Sequence, residues 1–270
     1  MLTNPKISII TVVRNGEKHI EDTIKSVLSQ SYNNVEYIII DGNSTDGTTS
    51  IIKKYQANVA YWISESDKGI YDAMNKGVAA STGDWLLFIN SDDFLATDTV
   101  ICQMTPYLTA STSLVVYGNI LYINPNGSET LIGREWAEIR DNFRQEGMLI
   151  PHQATFHSRN LFLNNEFNID FIIAGDYDFL LRYLNLHDAL FVPIVVAKMR
   201  FGGISYNISP FTILRESRKA QLLNGRKNDW TKMSWVINTA RFLAYYYIVL
   251  IFGNELIGKL KKMASWVTHR

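Results

Sequence analysis

Residues 84–93 read DWLLFINSDD: Trp85 to Asn90 carry the pattern of a buried strand, and after Ser91 two carboxylates stand with no spacer between them. A strand apolar on both faces belongs to a sheet covered on both sides, as parallel sheets are. Adjacent aspartates at the end of such a strand repel each other and are costly to bury, so something must compensate them. Working outward, KISIITVV (6–13), VEYIIID (35–41) and VAYWIS (59–64) are further short apolar strands. Between them Ile20, Ile24, Val27 and Leu28 form one helical stripe, and TSIIKKYQ turns Ile51, Ile52 and Tyr55 inward. GIYDAMNKGVAAS (69–81) places Ile70, Met74 and Val78 at helical spacing. This alternation predicts an α/β fold with a mostly parallel central sheet flanked by helices.

The pattern then becomes irregular. SLVVYGNILYINPNG (113–127) reads as a strand, a kink at Gly118, a second strand and an Asn-Gly turn. IAGDYDFLLRYLN (173–185) is helical, with Phe179, Leu180, Tyr183 and Leu184 on its apolar side.

With 47% hydrophobic and 19% charged residues in 270, the composition is globular and excludes a disordered chain. The lone Cys102 excludes an internal disulfide and fits a reducing compartment. The β-branched run near the N-terminus lacks a small-residue cleavage site, so it reads as a strand and not as a signal peptide, and a cytoplasmic location is expected. Net charge is zero, yet residues 1–199 carry a balance of −9 and residues 200–270 one of +9. The basic end suggests an anionic surface or ligand on that side.

Ligands of open parallel sheets bind outside the carboxyl ends of the strands. Those ends read Val12-Val13-Arg14-Asn15, Asp41-Gly42-Asn43-Ser44, Ser64-Glu65-Ser66-Asp67-Lys68 and Asn90-Ser91-Asp92-Asp93. A rim of acids and hydroxyls suits a divalent cation or a sugar. Asp41 either accepts hydrogen bonds from a base or ribose, or caps the turn that follows it. Asp92 and Asp93 suit Mg²⁺ or Mn²⁺ completed by a substrate diphosphate, or else form an exposed turn. Asp176 and Asp178 either favour a helix N-terminus or supply a general base. His152 and His157 are five apart and do not form a zinc pair. One of them lines a polar pocket, or both are structural. No G-x-G-x-x-G follows the first strand, which weighs against a dinucleotide site.

Taken together, SIITVVRN, SVLSQSY, VEYIIIDGNSTDGT, ISESDKGIYDAMNKG, GDWLLFINSDD and AGDYDFLLR resemble family 2 glycosyltransferases of the GT-A fold. The resemblance is strong over 6–95, thinner to about 205, and nearest to bacterial members that build surface polysaccharides such as capsule or lipopolysaccharide. It implies a domain over 1–210, with a nucleotide-sugar half (1–95) and an acceptor half (96–210), and a basic, aromatic-rich helical extension over 211–270. It also implies inverting transfer from a nucleotide-activated sugar, foremost a UDP-sugar, to a hydroxyl of a glycan or lipid-linked acceptor. Val12, Val13, Arg14, Asn15 and Asp41 would hold base and ribose, and Asp67 or Lys68 would line the uridine-side wall. Asp92, with Asp93, stands at the D-x-D position for metal and diphosphate, and Asp176 at the catalytic base, with Asp178 as the fallback. His152, Gln153, Asp178 and Gly203 are candidates for contact with donor or acceptor sugar, Gly203 lying in FGGIS (201–205), which resembles the family's flexible acceptor-side loop. Three departures stand out: Asn90 replaces the first Asp of D-x-D, Gly42 a second Asp after Asp41, and Gly175 the Glu before the base.

WVINTARFLAYYYIVLIF (235–252) is apolar for eleven residues from Phe242, too short to span a bilayer. With its flanking Trp, Tyr and Lys/Arg, the stretch 235–262 suits a helix lying on a membrane surface, giving a peripheral place at the inner face of the cell membrane. A core or dimer helix is the competing reading, so a homo-oligomer stays open, and no nucleic-acid partner is expected. Two rival functions remain at this level: a nucleotidyltransferase, and a sugar-nucleotide or glycan-binding module that has lost its base.

Overall fold

The computed structural model describes residues 4–203, 208–226 and 240. The parallel half is built as the pattern predicts. Strands β1 (Ile7–Val13), β2 (Val35–Asp41), β3 (Tyr61–Ser64) and β4 (Trp85–Phe88) alternate with helices α1 (Ile20–Leu28), α2 (Thr48–Tyr55) and α3 (Ile70–Ala80). They lie side by side in the order β3-β2-β1-β4, all parallel, with Val13 opposite Asp41 and Asp41 opposite Ser64.

The later segment continues the same sheet with mixed pairing. It comprises β5 (Phe94–Leu95), α4 (Val100–Ala110), β6 (Val115–Ile123), β7 (Glu129–Ile132), α5 (Trp136–Gln145), β8 (Thr155–Ser158), α6 (Gly175–Leu184), β9 (Leu190–Arg200) and α7 (Pro210–Leu223). The order runs on from β4 through β8, β6 and β9 to β5, with β7 paired to β6. β8 is antiparallel to both β4 and β6, whereas β9 runs parallel to β6. The expected kink at Gly118 is a register irregularity within one continuous strand, β6, and the Asn126-Gly127 turn leads into β7.

Side chains of successive strand residues leave opposite faces of a sheet, and two cores follow. Ile10, Val12, Ile38, Ile40, Leu86 and Phe88 pack beneath α3, α5 and α6. Ile7, Ile9, Val13, Ile39, Leu87 and Ile89 pack beneath α1, α2 and α4. Gly77 lets α3 press onto β1, for a Cβ there would lie 2.5 Å from Ile10 Cγ2. Of the expected helical extension over 211–270, α7 is present. The segment 235–262, apart from Ala240, lies outside the described residues. Among the described residues no helix is long and apolar enough to cross a membrane.

Candidate functional site

The four parallel strands end on one rim, above a cleft of about 1140 Å³. Val12, Val13, Arg14, Asn15, Asp67, Asp92, Asp93, His152, Gln153, Asp176 and Gly203 all line it, whereas Asp41, Lys68 and Asp178 do not.

Asp41 is fully buried at the end of β2. Its carboxylate accepts from Ser44 N (3.0 Å), Ser44 Oγ (2.5 Å) and Ser64 Oγ (2.5 Å), so it braces the ends of two strands. The β1–α1 and β2–α2 loops are latched together as well. Asn15, in the left-handed region at φ 54°, accepts the Thr45 amide at 2.9 Å, and Ser44 Oγ accepts the Asn15 amide at 2.7 Å. Gly42 has a physical reason: a Cβ there would run into the Asp67 carboxylate, which accepts the Gly69 amide at 2.9 Å. The space beside Asp41 is already taken by an acid from another loop.

The paired aspartates turn out to be unlike one another. Asp93 is buried and accepts from Gln153 Nε2 (2.9 Å) and the Arg200 amide (3.1 Å). Burial first, then the charge of Asp92, pushes its carboxyl up to about 8, against the pull of those two donors. Part of the compensation that the sequence demanded is therefore a retained proton on Asp93. Arg200 also donates to the Asp92 carbonyl (3.0 Å) and to Asp22 (2.7 Å), and stacks over Phe94 at 4.5 Å. Asn90 Oδ1 is buried with no hydrogen-bond partner among the described residues, and a buried acceptor left unpaired is suited to a water or an ion. A Cβ on Gly203 would come within 2.9 Å of Asp92 Oδ2. Hard oxygens with space kept open beside them fit a divalent cation. Among the described residues no cluster of three His, Cys, Asp or Glu could hold one alone, so the remaining ligands would come from substrate and water.

Across the cleft, Asp176 stands in the first turn of α6. Its Oδ1 accepts the Tyr71 hydroxyl (3.3 Å) and the Tyr177 amide (2.8 Å). Its Oδ2 faces His152 Nδ1 at 3.9 Å, beyond hydrogen-bond reach. Asp178, two residues on, points into the protein, where Arg182 (2.5 Å) and Asn224 (2.9 Å) hold it. The preceding loop is fixed by the buried Glu216 of α7, which accepts the amides of Ile172, Ile173 and Ala174 at 2.8–3.1 Å. His152 stacks on Phe88 with ring centroids 5.3 Å apart. Burial lowers its affinity for a proton, opposed by Asp176, and drives His157 down to about 3 with help from His152. Both rings are neutral at physiological pH. Arg200, Glu216 and Tyr71 were not legible as site residues, since each acts on a partner distant in sequence.

A parallel α/β rim bearing Asp92, a second carboxylate, Asp176, lining the same cleft from α6, and a mixed sheet continuing beyond agree with the GT-A glycosyltransferase fold, which the comparisons with known proteins show. Within that class the chain belongs to glycosyl transferase family 2, whose family model matches residues 8–171. It is 30% identical over 213 residues to a PGL/p-HBAD biosynthesis glycosyltransferase of Mycobacterium bovis, covering 76% of this chain and 80% of that one. Its fold is similar to that of S. aureus TarS 1–349 in complex with UDP, with a TM-score of 0.64 and 18% identity over 97% of this chain and 78% of that one. It is also similar to glucosyl-3-phosphoglycerate synthase from Mycobacterium tuberculosis in complex with Mn²⁺, UDP and phosphoglyceric acid. There the TM-score is 0.60 and the identity 20%, over 83% and 80% of the two chains. Asp176 and Gly203 lie beyond the residues that the family model matches.

Proposed function

We propose that this glycosyltransferase moves a sugar, with inversion, from a UDP-sugar to a hydroxyl of a glycan or lipid-linked acceptor in the building of a bacterial surface polysaccharide or glycolipid. In this reading residues 1–95 hold the nucleotide and residues 96–210 the acceptor. Val12 to Asn15 and Asp67 contact base and ribose, with Asp41 setting the loop that carries them. Asp92 and Asn90 would hold Mg²⁺ or Mn²⁺ at the diphosphate, with Asp93 behind them. There a dication offsets the negative charge that grows on the leaving group.

One observation carries the reading: Asp176 has one oxygen tied by two donors and the other open to the same cleft as Asp92. A sugar hydroxyl is a poor nucleophile until its proton is taken. Asp176 Oδ2 accepts that proton as the acceptor oxygen bonds to the anomeric carbon, while the carbon–oxygen bond to the diphosphate breaks and its electron pair leaves with the nucleotide. Attack from the face opposite the diphosphate inverts the anomeric carbon. The solved complexes with UDP, and with UDP and Mn²⁺, support the donor class. The PGL/p-HBAD biosynthesis glycosyltransferase supports the sugar-transfer reading.

The test is turnover of UDP-, GDP- and dTDP-sugars with Mn²⁺, on glycan and lipid-linked acceptors, by the wild type and by Asp176→Asn. A wild type active with a UDP-sugar, and a variant slowed about 10²–10⁴-fold with UDP affinity unchanged, is the expected outcome. Undiminished turnover by the variant would remove Asp176 from the chemistry. A wild type inert with every donor would leave a binding module.

A further inference from the structure

Asp176 does not hold its own orientation. The terminal torsion of an aspartate is broad and nearly two-fold, so a carboxylate at a cleft needs outside donors to keep one oxygen facing the substrate. Within the protein, side-chain donation to Asp176 comes from Tyr71, in the first turn of α3 and 105 positions away in the chain. Tyr71 is 4% exposed, stacks on Phe167 at 5.9 Å, and keeps its phenolic proton because burial, and then the charge of Asp176, raises its pKa well above the ordinary value. The ring reaches Asp176 by lying flat against Gly175. A Cβ on Gly175 would lie 2.7 Å from Tyr71 Cε2 and 2.8 Å from Cδ2 and Cζ. Gly175 is not among the residues with positive φ, so this glycine is required for space and not for backbone conformation.

We propose that Tyr71 is a positioning residue for Asp176: its hydroxyl fixes Oδ1 and so presents Oδ2 to the acceptor, and Gly175 is the clearance that lets it do so. The inference rests on Asp176 being the base. It also explains why a larger residue before Asp176 is incompatible with this site. The other titratable and charged groups around the carboxylate are His152, neutral and 3.9 Å from Oδ2, Glu216, spent on the amides of residues 172–174, and Asp178 with Arg182, which pair with each other. Among the described residues, Tyr71 is the one side chain that donates a hydrogen bond to Asp176.

Tyr71→Phe keeps the ring and removes the donor. In the ligand-free protein, the Asp176 carboxyl carbon, followed by NMR, should titrate at higher pH in the variant, because a carboxylate deprived of a donor holds its proton more firmly. With the UDP-sugar that supports turnover, kcat should fall about tenfold, KM for the donor should stay within about twofold, and the acid limb of the kcat profile should move to higher pH. Gly175→Ala should depress kcat in the same way, and the double variant should be no worse than the weaker single, since both act through one hydrogen bond. A Tyr71→Phe protein with wild-type titration and wild-type kcat overturns the proposal and leaves Tyr71 as packing. If melting shows that Tyr71→Phe does not fold, Gly175→Ala carries the test, and an unchanged kcat and carboxyl titration there overturns it equally. Should Asp176→Asn retain turnover, the base assignment fails first. Should it be inactive while Tyr71→Phe behaves as wild type, only this inference fails.

Discussion

Glu36→Gln separates the end of the sheet that holds the fold from the end that holds the site. Glu36 sits near the start of β2, opposite the cleft, with its side chain 10% exposed. Its carboxylate accepts from Lys6 Nζ (2.8 Å), Ser8 Oγ (2.7 Å), the Thr82 amide (2.7 Å) and Thr82 Oγ1 (2.8 Å), tying β1, β2 and the approach to β4. Burial by itself would push this acid up. The donors, led by Lys6 and Ser8, overrule it and bring the pKa from 4.5 down to about 2. At about 1.4 kcal/mol for each tenfold change in proton affinity, that drop corresponds to a ceiling of about 3 kcal/mol at pH 7. A folded-state pKa below the unfolded one stabilises the protein above about pH 4.5, and this stability is lost as pH falls toward 2. Glu36→Gln lacks that term at every pH. Its melting midpoint should therefore lie up to roughly 6–12 °C below wild type at neutral pH, and the gap should hold down to about pH 4.5 and narrow as pH falls from there toward 2. UDP affinity, read by calorimetry at a temperature where both proteins are folded, should not change. A gap that stays constant with pH, or one under about 1 kcal/mol at pH 7, would refute the reasoning.

Two further outcomes follow from the packing and the rim. Gly77→Ala gains helix propensity worth about 1 kcal/mol, but its Cβ would lie 2.5 Å from Ile10 Cγ2. Overpacking should win, with urea unfolding showing a net loss of about 1–2 kcal/mol, and a stabilised variant would mean that α3 can ride further from β1. Asp92→Asn should abolish the tightening of UDP binding by Mn²⁺ in calorimetry while leaving metal-free UDP affinity near wild type; persistence of the wild-type Mn²⁺ effect would place the cation elsewhere.

The retained proton on Asp93 is an instance of how the sequence posed a question that only packing could answer. From DWLLFINSDD the two acids are equivalent. In the structure both line the cleft, but Asp93 is buried and held by Gln153 and the Arg200 amide, whereas Asp92 is only half-buried. The same holds for Asp176 and Asp178. Both open a helix in the sequence, and the three-dimensional surroundings, Tyr71 on one side and Arg182 with Asn224 on the other, separate their roles. Strands β8 and β9 were also unread, because their pairing joins β6 to segments 38–77 residues away and leaves no alternation of its own.

The sequence by itself determined the parallel half of the sheet, its helices and the acidic rim at its carboxyl ends. These depend on local periodicity and on the order of elements along the chain. Tertiary structure alone decided which carboxylate of each pair is buried, why Gly42 and Gly175 are glycines, and that a tyrosine 105 positions away holds Asp176. Those outcomes depend on burial and on contacts between segments that no local pattern encodes.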